Sequence, residues 1–297
     1  MCPFTIFEDI MKRQTKFEIL LGLLLIARST SFMISKIMMD GMGPFTILSN
    51  RYIIAFFIMM LIFAKRVKDT NKDILIKAGI IGIAYTAVMG FEMYGLKLTD
   101  SGTCSFLEHT AIVIVPIFQA VLLKRFPGKS TWISAVLALA GVGFLTLGRV
   151  GMKMDFGFIL CLMSALCYAV AIILTTNYSK SVSDSILLGI YQVGFMGIFC
   201  LICALFTESV RLPINGNEWL SILYLAIVCS GFGLTIQPYA QSGTTAERAA
   251  LIAALNPLSV AILGVIVLKE QLTISYVTGG ILIMAGILLA VVKEDKE

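Results

Sequence analysis

Glu108 and His109 sit side by side near the middle of an apolar stretch, residues 95–124, that is long enough to cross a bilayer. A charge at the centre of a membrane helix costs about 2.5–3.5 kcal/mol on insertion scales unless a partner, a proton or water offsets it. Two chemistries suit such a pair: proton exchange, or charge pairing and hydrogen bonding with a polar solute. Neighbouring helix positions diverge by about 100°, so the two side chains do not share one direction. Ser101, Ser105, Glu108 and Gln119 form one approximate stripe, and Gly102, Ser105, His109 and Pro116 form another. Glu108 continues the more polar stripe and is the expected cavity residue. For His109, the chain's one histidine, a proton relay and a plain hydrogen bond to a neighbouring carbonyl stand level.

Other positions join this pair. Arg28 lies halfway along the first apolar segment, too deep to snorkel, with Ser31 and Ser35 following at helical spacing. It suits either an anchor for a carboxylate or phosphate, or a structural ion pair with Glu92 or Glu108. Glu92 stands two residues before Tyr94, and Gln237 two before Tyr239. Both are expected to line a shared cavity, although Glu92 at a helix end could instead reach the headgroups. Asn256-Pro257 places a buried amide beside a residue that cannot donate, which frees a backbone carbonyl. Tyr168 could stack on a solute or simply pack. Arg51 and Lys36 read as topology or packing residues, with a gate as a further role for Arg51.

Several chemistries are excluded. Gly128-Lys-Ser-Thr131 imitates the end of a phosphate-binding loop, but position 123 is Leu and no strand precedes it. Cys200 and Cys203 spell CxxC inside an apolar segment with no second pair, and the seven cysteines are scattered as small hydrophobes. One His, no Asp inside a predicted helix and no paired metal ligands leave no basis for an enzyme, a metal or a cofactor. An intramembrane enzyme is therefore set aside.

The elements that must position these residues are membrane helices. The 297 residues are 58% hydrophobic and 14% charged, against about 25% charged in a soluble domain. Spanning helices need about 20 apolar residues, and ten such segments are predicted: 17–38, 44–64, 74–95, 101–123, 130–148, 156–177, 184–206, 217–239, 246–268 and 273–292. The net charge of +5 comes from Lys and Arg at helix ends, not from a nucleic-acid-binding face. With the N-terminus inside, fifteen of the 23 Lys and Arg fall on the inner side and six on the outer. That bias predicts both termini in the cytoplasm. No cleavable leader is evident, so the first segment is expected to stay as a helix.

Sliding the sequence by 145 places Glu92-Met-Tyr94 over Gln237-Pro-Tyr239, Leu123-Lys124 over Leu268-Lys269, and Ala140-Gly141 over Ala285-Gly286. Five helices per half is an odd number, so the halves insert in opposite orientations. Inverted repeats of this kind place a binding site near the midplane, between the halves.

The segment from Gly95 to Leu147, with its Pro116, Leu122-Leu123, Trp132 and Ala138-Leu-Ala-Gly141, resembles the fourth and fifth helices of EamA-type carriers of the drug/metabolite transporter superfamily. Gln237-Pro-Tyr-Ala-Gln241, Thr245 to Leu251, Asn256-Pro257 and Leu268-Lys-Glu270 are similar to that family's ninth-helix region, and Phe32, Lys36 and Arg51-Tyr52 to its first helices. The resemblance spans about residues 17–292. It implies a ten-helix secondary carrier of small metabolites with a central cavity, and it does not imply a substrate. Two departures stand out: Arg28 replaces a usual aromatic, and Glu108-His109 replace small or hydroxyl residues.

The expected fold is all-α: a polytopic membrane protein of ten transmembrane helices in two inverted five-helix repeats. Residues 1–16 form a cytoplasmic N-terminal segment, 17–148 the first repeat, 156–292 the second, and 293–297 a cytoplasmic tail. The expected function is alternating-access transport of a small polar, charged or zwitterionic metabolite, such as an amino acid or related compound, by exchange or with protons. The alternative is a non-transporting sensor or assembly subunit. Expected partners are a small-molecule substrate, lipids and protons as a candidate coupling ion, with no nucleic acid, in a monomer or homodimer. The expected location is the plasma (bacterial inner) membrane. The residues expected to bind substrate or couple are Arg28, Glu92, Glu108, His109, Tyr168, Gln237 and Asn256.

Overall fold

In hydrocarbon every backbone N–H and C=O must find a partner within the protein, so apolar segments of this length have little choice but to form helices. The computed structural model describes residues 3–98, 101–123, 128–147, 156–259, 262 and 274–293, and among these it contains helices and turns but no strand. In chain order the helices are α1 (Pro3–Ser29), α2 (Ser31–Met38), α3 (Pro44–Ile62), α4 (Ala64–Val67), α5 (Lys72–Leu98), α6 (Ser101–His109) and α7 (Ala111–Leu123). After α8 (Lys129–Leu147), α9 (Phe156–Ser181) and α10 (Ser185–Thr207) come α11 (Gly216–Tyr224), a π-helical stretch Leu225–Leu234 and α12 (Thr235–Ser242). The chain then forms α13 (Ala246–Ile252) and α14 (Ile274–Lys293). Helix starts carry local caps: the Asp184 side chain accepts from Ile186 N and Leu187 N, Asn215 from Glu218 N, and Thr245 from Arg248 N.

Seven helical stretches of the described residues are long and apolar enough to cross a membrane, and the segments 129–144 and 277–290 are shorter apolar helices. The last part of the predicted ninth segment, 260–268, lies outside the described residues apart from Ile262. Helix α1 runs unbroken from Pro3 into the first apolar segment. One expectation needs correction. Segments predicted as continuous helices are interrupted, at Thr30 and Thr110 and over Leu225–Leu234. Side-chain hydroxyls explain the first two: Thr30 Oγ1 and Thr110 Oγ1 bond back to the carbonyls of Ala27 and Leu107, which competes with the regular ladder.

Leu61 (78% exposed) and Phe206 (86%) head a set of outward apolar side chains that fits contact with lipid. Inside, the helices pair antiparallel. The Phe45 end of α3 meets Glu208 beyond α10, while Arg66, past the far end of α3, meets Asp184 before it. Helix α5 runs against α9, with Ser164 Oγ donating to Val88 O.

Helices α8 and α14 approach closely, and glycine permits it. A Cβ on Gly141 would lie 2.7 Å from Gly279 O and 2.8 Å from Ile283 N. A Cβ on Gly286 would lie 2.8 Å from Ser134 O and 3.0 Å from Ala138 N. Each residue in the second set is the first set's counterpart 145 positions away, with the two helices exchanged. Overpacking such a contact costs about 1–3 kcal/mol. Gly141→Val and Gly286→Val should each lower the detergent melting temperature, whereas Gly216→Ala, with nothing within 4 Å of the added carbon, should leave it unchanged. Equal melting temperatures for all three would contradict this packing.

Candidate functional site

The interruptions in the helices converge on one cavity. Its walls come from Arg28 at the end of α1, Ser31 and Phe32 in α2, Arg51 in α3, and Met89 and Glu92 in α5. Glu108 of α6, Cys229 and Leu234 of the π-helical stretch, and Asn256 complete it. Irregular backbone at membrane depth is tolerated where it lines a cavity, and discontinuous helices commonly frame transporter sites. The π-helical stretch has a local purpose as well. A Cβ at Gly233 would lie 2.6 Å from Arg28 Cγ, so the missing side chain leaves room for the arginine's stem.

Two guanidiniums and two carboxyls meet in this cavity. Arg28 Nη1 donates to Gln237 Oε1 at 2.7 Å, and Gln237 Nε2 donates to the Tyr85 hydroxyl at 2.9 Å. Tyr85 thereby fixes the amide so that its oxygen faces Arg28. Arg51 Nη1 donates to Ser31 Oγ at 2.8 Å and Nη2 to the Tyr52 hydroxyl at 2.6 Å, with the guanidinium carbon 4.6 Å from the Tyr52 ring centroid. Its Nε is buried without a partner. Glu92 and Glu108 lie on different helices, α5 and α6, and both line this cavity together with Arg28 and Arg51. Glu108 Oε2 and Asn256 Oδ1 are buried acceptors with no donor among the described residues. A buried acceptor left unpaired costs about 1–3 kcal/mol, so both atoms call for a donor from outside the protein.

The expected residues divide into three groups. Arg28, Glu92, Glu108 and Asn256 line the cavity directly. Glu92 is 7% exposed, which settles against the headgroup reading. Gln237 acts through Arg28. Tyr168 is 5% exposed and packs edge-on against Tyr85, 6.3 Å between centroids, so its surroundings match the packing reading.

His109 is turned from the cavity, as the helical angle between neighbours requires. Its Nδ1 lies 2.7 Å from Ser105 O and its Nε2 3.1 Å from Ala253 O. Pro257 has no N–H to offer four residues back, and the Ala253 carbonyl takes Asn256 N at 3.0 Å and the histidine instead. His109 thus bridges two interrupted helices through its ring.

Arg51 is the residue that reasoning from the sequence undervalued. Its place near a helix end gave a topology or packing reading, whereas it lines the cavity, is 4% exposed and donates to Ser31, a serine already noted for its spacing from Arg28. Gly233 gave no signal beyond being a glycine in an apolar run.

A family model described as the EamA-like transporter family matches residues 16–147 and again residues 155–292. An Archaeoglobus fulgidus protein described as an uncharacterized transporter is 29% identical over 91% of this chain and 84% of its own. A second such protein from the same organism is 26% identical over 95% of this chain and 99% of its own. The Bacillus subtilis uncharacterized transporter YoaV is 24% identical over 75% of this chain and 76% of its own. One crystal structure superposes with a TM-score of 0.76 over 96% of this chain and 99% of its own, at 16% identity, a likeness of fold.

The two halves of the Glu108-His109 pair should separate experimentally. His109→Ala removes the ring between the Ser105 and Ala253 carbonyls, with the one hydrogen bond its single N–H donates to one of them, and should destabilise the detergent-solubilised protein by about 1 kcal/mol or more. Glu108→Gln removes a charge whose outer oxygen has no donor, and should leave the melting temperature level or higher. The reverse order of melting temperatures would contradict these assignments.

Proposed function

The chain belongs to the EamA-like transporter family, and from that membership we propose that it is a secondary carrier whose central cavity binds a small zwitterionic solute, such as an amino acid or a related compound. It is an integral membrane protein of a transporter family. The single observation that carries the substrate reading is the lining of this cavity: Glu108 Oε2 and Asn256 Oδ1, buried with no donor among the described residues, share it with Arg28 and Arg51. An ammonium group satisfies the first pair of atoms. A carboxylate takes charge-assisted hydrogen bonds from the guanidiniums, which are pre-positioned by Gln237 and by Ser31 and Tyr52.

The architecture in this reading is ten helices in two inverted repeats, 17–148 and 156–292, rocking about the cavity. The family match in two stretches supports it. So do the antiparallel pairing of α3 with α10 and the reciprocal glycine contacts of α8 and α14. The excess of Lys and Arg favours both termini on the cytoplasmic side of the plasma membrane.

Proton coupling follows from the carboxyl pair. Glu92 and Glu108 line one buried cavity, and two ionised carboxylates in such a space repel, which favours one proton held by the pair. With that proton the two arginines and two glutamates total +1, and without it zero. Proton binding therefore favours the solute's anionic group, and losing the proton weakens it.

Uptake into proteoliposomes tests this. An imposed pH gradient should accelerate solute uptake by the native carrier, and Glu92→Gln with Glu108→Gln should remove that acceleration. Arg28→Gln should raise KM about tenfold or more, the loss of one charge-assisted hydrogen bond of about 1.5–3 kcal/mol. Uptake that is equally gradient-driven in the doubly substituted carrier would overturn the proton role, and an unchanged KM in Arg28→Gln would overturn the anchor.

A further inference from the structure

Helix α3 begins without a side-chain cap of its own. Its N-cap position is Gly43, with φ −63° and ψ 149°, extended backbone that any residue adopts. Conformation therefore does not demand glycine there. Space does: a Cβ at Gly43 would collide with the Glu208 carboxylate. That carboxylate takes the place of a cap. Glu208 Oε1 accepts from Phe45 N at 2.9 Å, and Oε2 accepts from Thr46 N and Thr46 Oγ1, both at 2.9 Å. The Tyr94 hydroxyl donates to Oε1 at 2.9 Å.

Four donors from the first half of the chain thus converge on one carboxylate of the second. Helices α10, α11 and α13 take their caps from the residue immediately preceding them, Asp184, Asn215 and Thr245. The α3 cap comes from more than 160 residues away.

The connection around Glu208 is fastened at further points. Arg211 Nη2 donates to Gly41 O at 2.6 Å, and Asn50 Nδ2 donates to Arg211 O at 3.0 Å. These contacts lie over one end of the cavity. Tyr94 is two residues beyond Glu92 on α5, and Thr46 is five before Arg51 on α3. At 1.5 Å per residue the carboxylate sits within about 8 Å, measured along each helix, of the residues that line the cavity.

We propose that Glu208, seated on the N-terminus of α3, is the fastener that shuts this end of the cavity, and that it leaves its seat when the carrier opens there. The contact suits that task because every bond it makes crosses between the halves, so separating them releases all four at once. The partial positive charge of a helix N-terminus and its free N–H groups hold a carboxylate well, yet water replaces those bonds when the end opens. Glycine at position 43 keeps the seat vacant for the incoming carboxylate.

This rests on the alternating-access reading, and the test keeps the two apart. Cys229 lines the cavity and is 3% exposed, so its labelling by a membrane-impermeant maleimide reports opening. Labelling is measured by peptide mass spectrometry in oriented vesicles, with reagent added from each side in turn. Glu208→Gln weakens the seat. Gly43→Asp gives α3 a cap of its own and displaces Glu208 without leaving the helix start bare. Both should raise Cys229 labelling several-fold from the Glu208 side and not from the other. Tyr94→Phe, which removes one hydrogen bond, should raise it less. A merely structural cap predicts no gain for Gly43→Asp, because that helix remains capped. Unchanged labelling in all three variants would overturn the proposal, whether or not the native protein transports the solutes assayed. Absence of transport by the native protein would instead count against the carrier reading alone.

Discussion

Two guanidiniums and two carboxyls in a cavity inside an apolar bundle set the terms for everything around them. Each charge at such depth costs a few kcal/mol unless compensated, so none of the four can be left to chance. Arg51 is held by Ser31 and Tyr52, Arg28 by Gln237, and Gln237 by Tyr85. Glu92 and Glu108 share the cavity with both arginines. What stays unfilled is small and specific, one oxygen of Glu108 and one of Asn256. A bundle whose purpose was packing alone would gain by replacing all four charges with apolar side chains of similar volume. Their retention, with unpaired acceptors facing a cavity, is the physical content of the carrier reading.

The backbone serves that cluster. Breaks at Thr30 and Thr110 and the π-helical stretch place Arg28, Glu108 and Cys229 around a common space that straight helices would fill. The tight glycine contacts of α8 and α14 supply rigidity away from the cavity. His109 belongs to this supporting role: its ring lies between the carbonyls of Ser105 and Ala253 on two interrupted helices, while Glu108 lines the cavity.

Much of the site was legible before any coordinates. Arg28, Glu92 and Glu108 announced themselves because charge within an apolar run has few inexpensive explanations, and the helical angle separated Glu108 from His109 in advance. Asn256 was legible through Pro257 and the carbonyl it frees. Arg51 was not, because distance from a helix end does not tell which face turns inward, and its partners Ser31 of α2 and Met89 of α5 come from other helices. The helix breaks were hidden too. Thr30 and Thr110 are tolerated in membrane helices, and whether their hydroxyls bond back to the ladder depends on what packs beside them. Gly43 and Gly233 show the same limit from another side: each is glycine because of a side chain, Glu208 or Arg28, that comes from far along the chain.

The central claim is that one cavity binds solute and proton together through the Glu92-Glu108 pair. Titration calorimetry of the purified carrier with its solute, repeated in buffers of different ionisation enthalpy, counts the protons taken up on binding. The account predicts close to one proton bound per solute at a pH where the free pair is ionised, and none in the protein carrying Glu92→Gln and Glu108→Gln. Solute binding with no proton uptake at any pH in the native protein would contradict it.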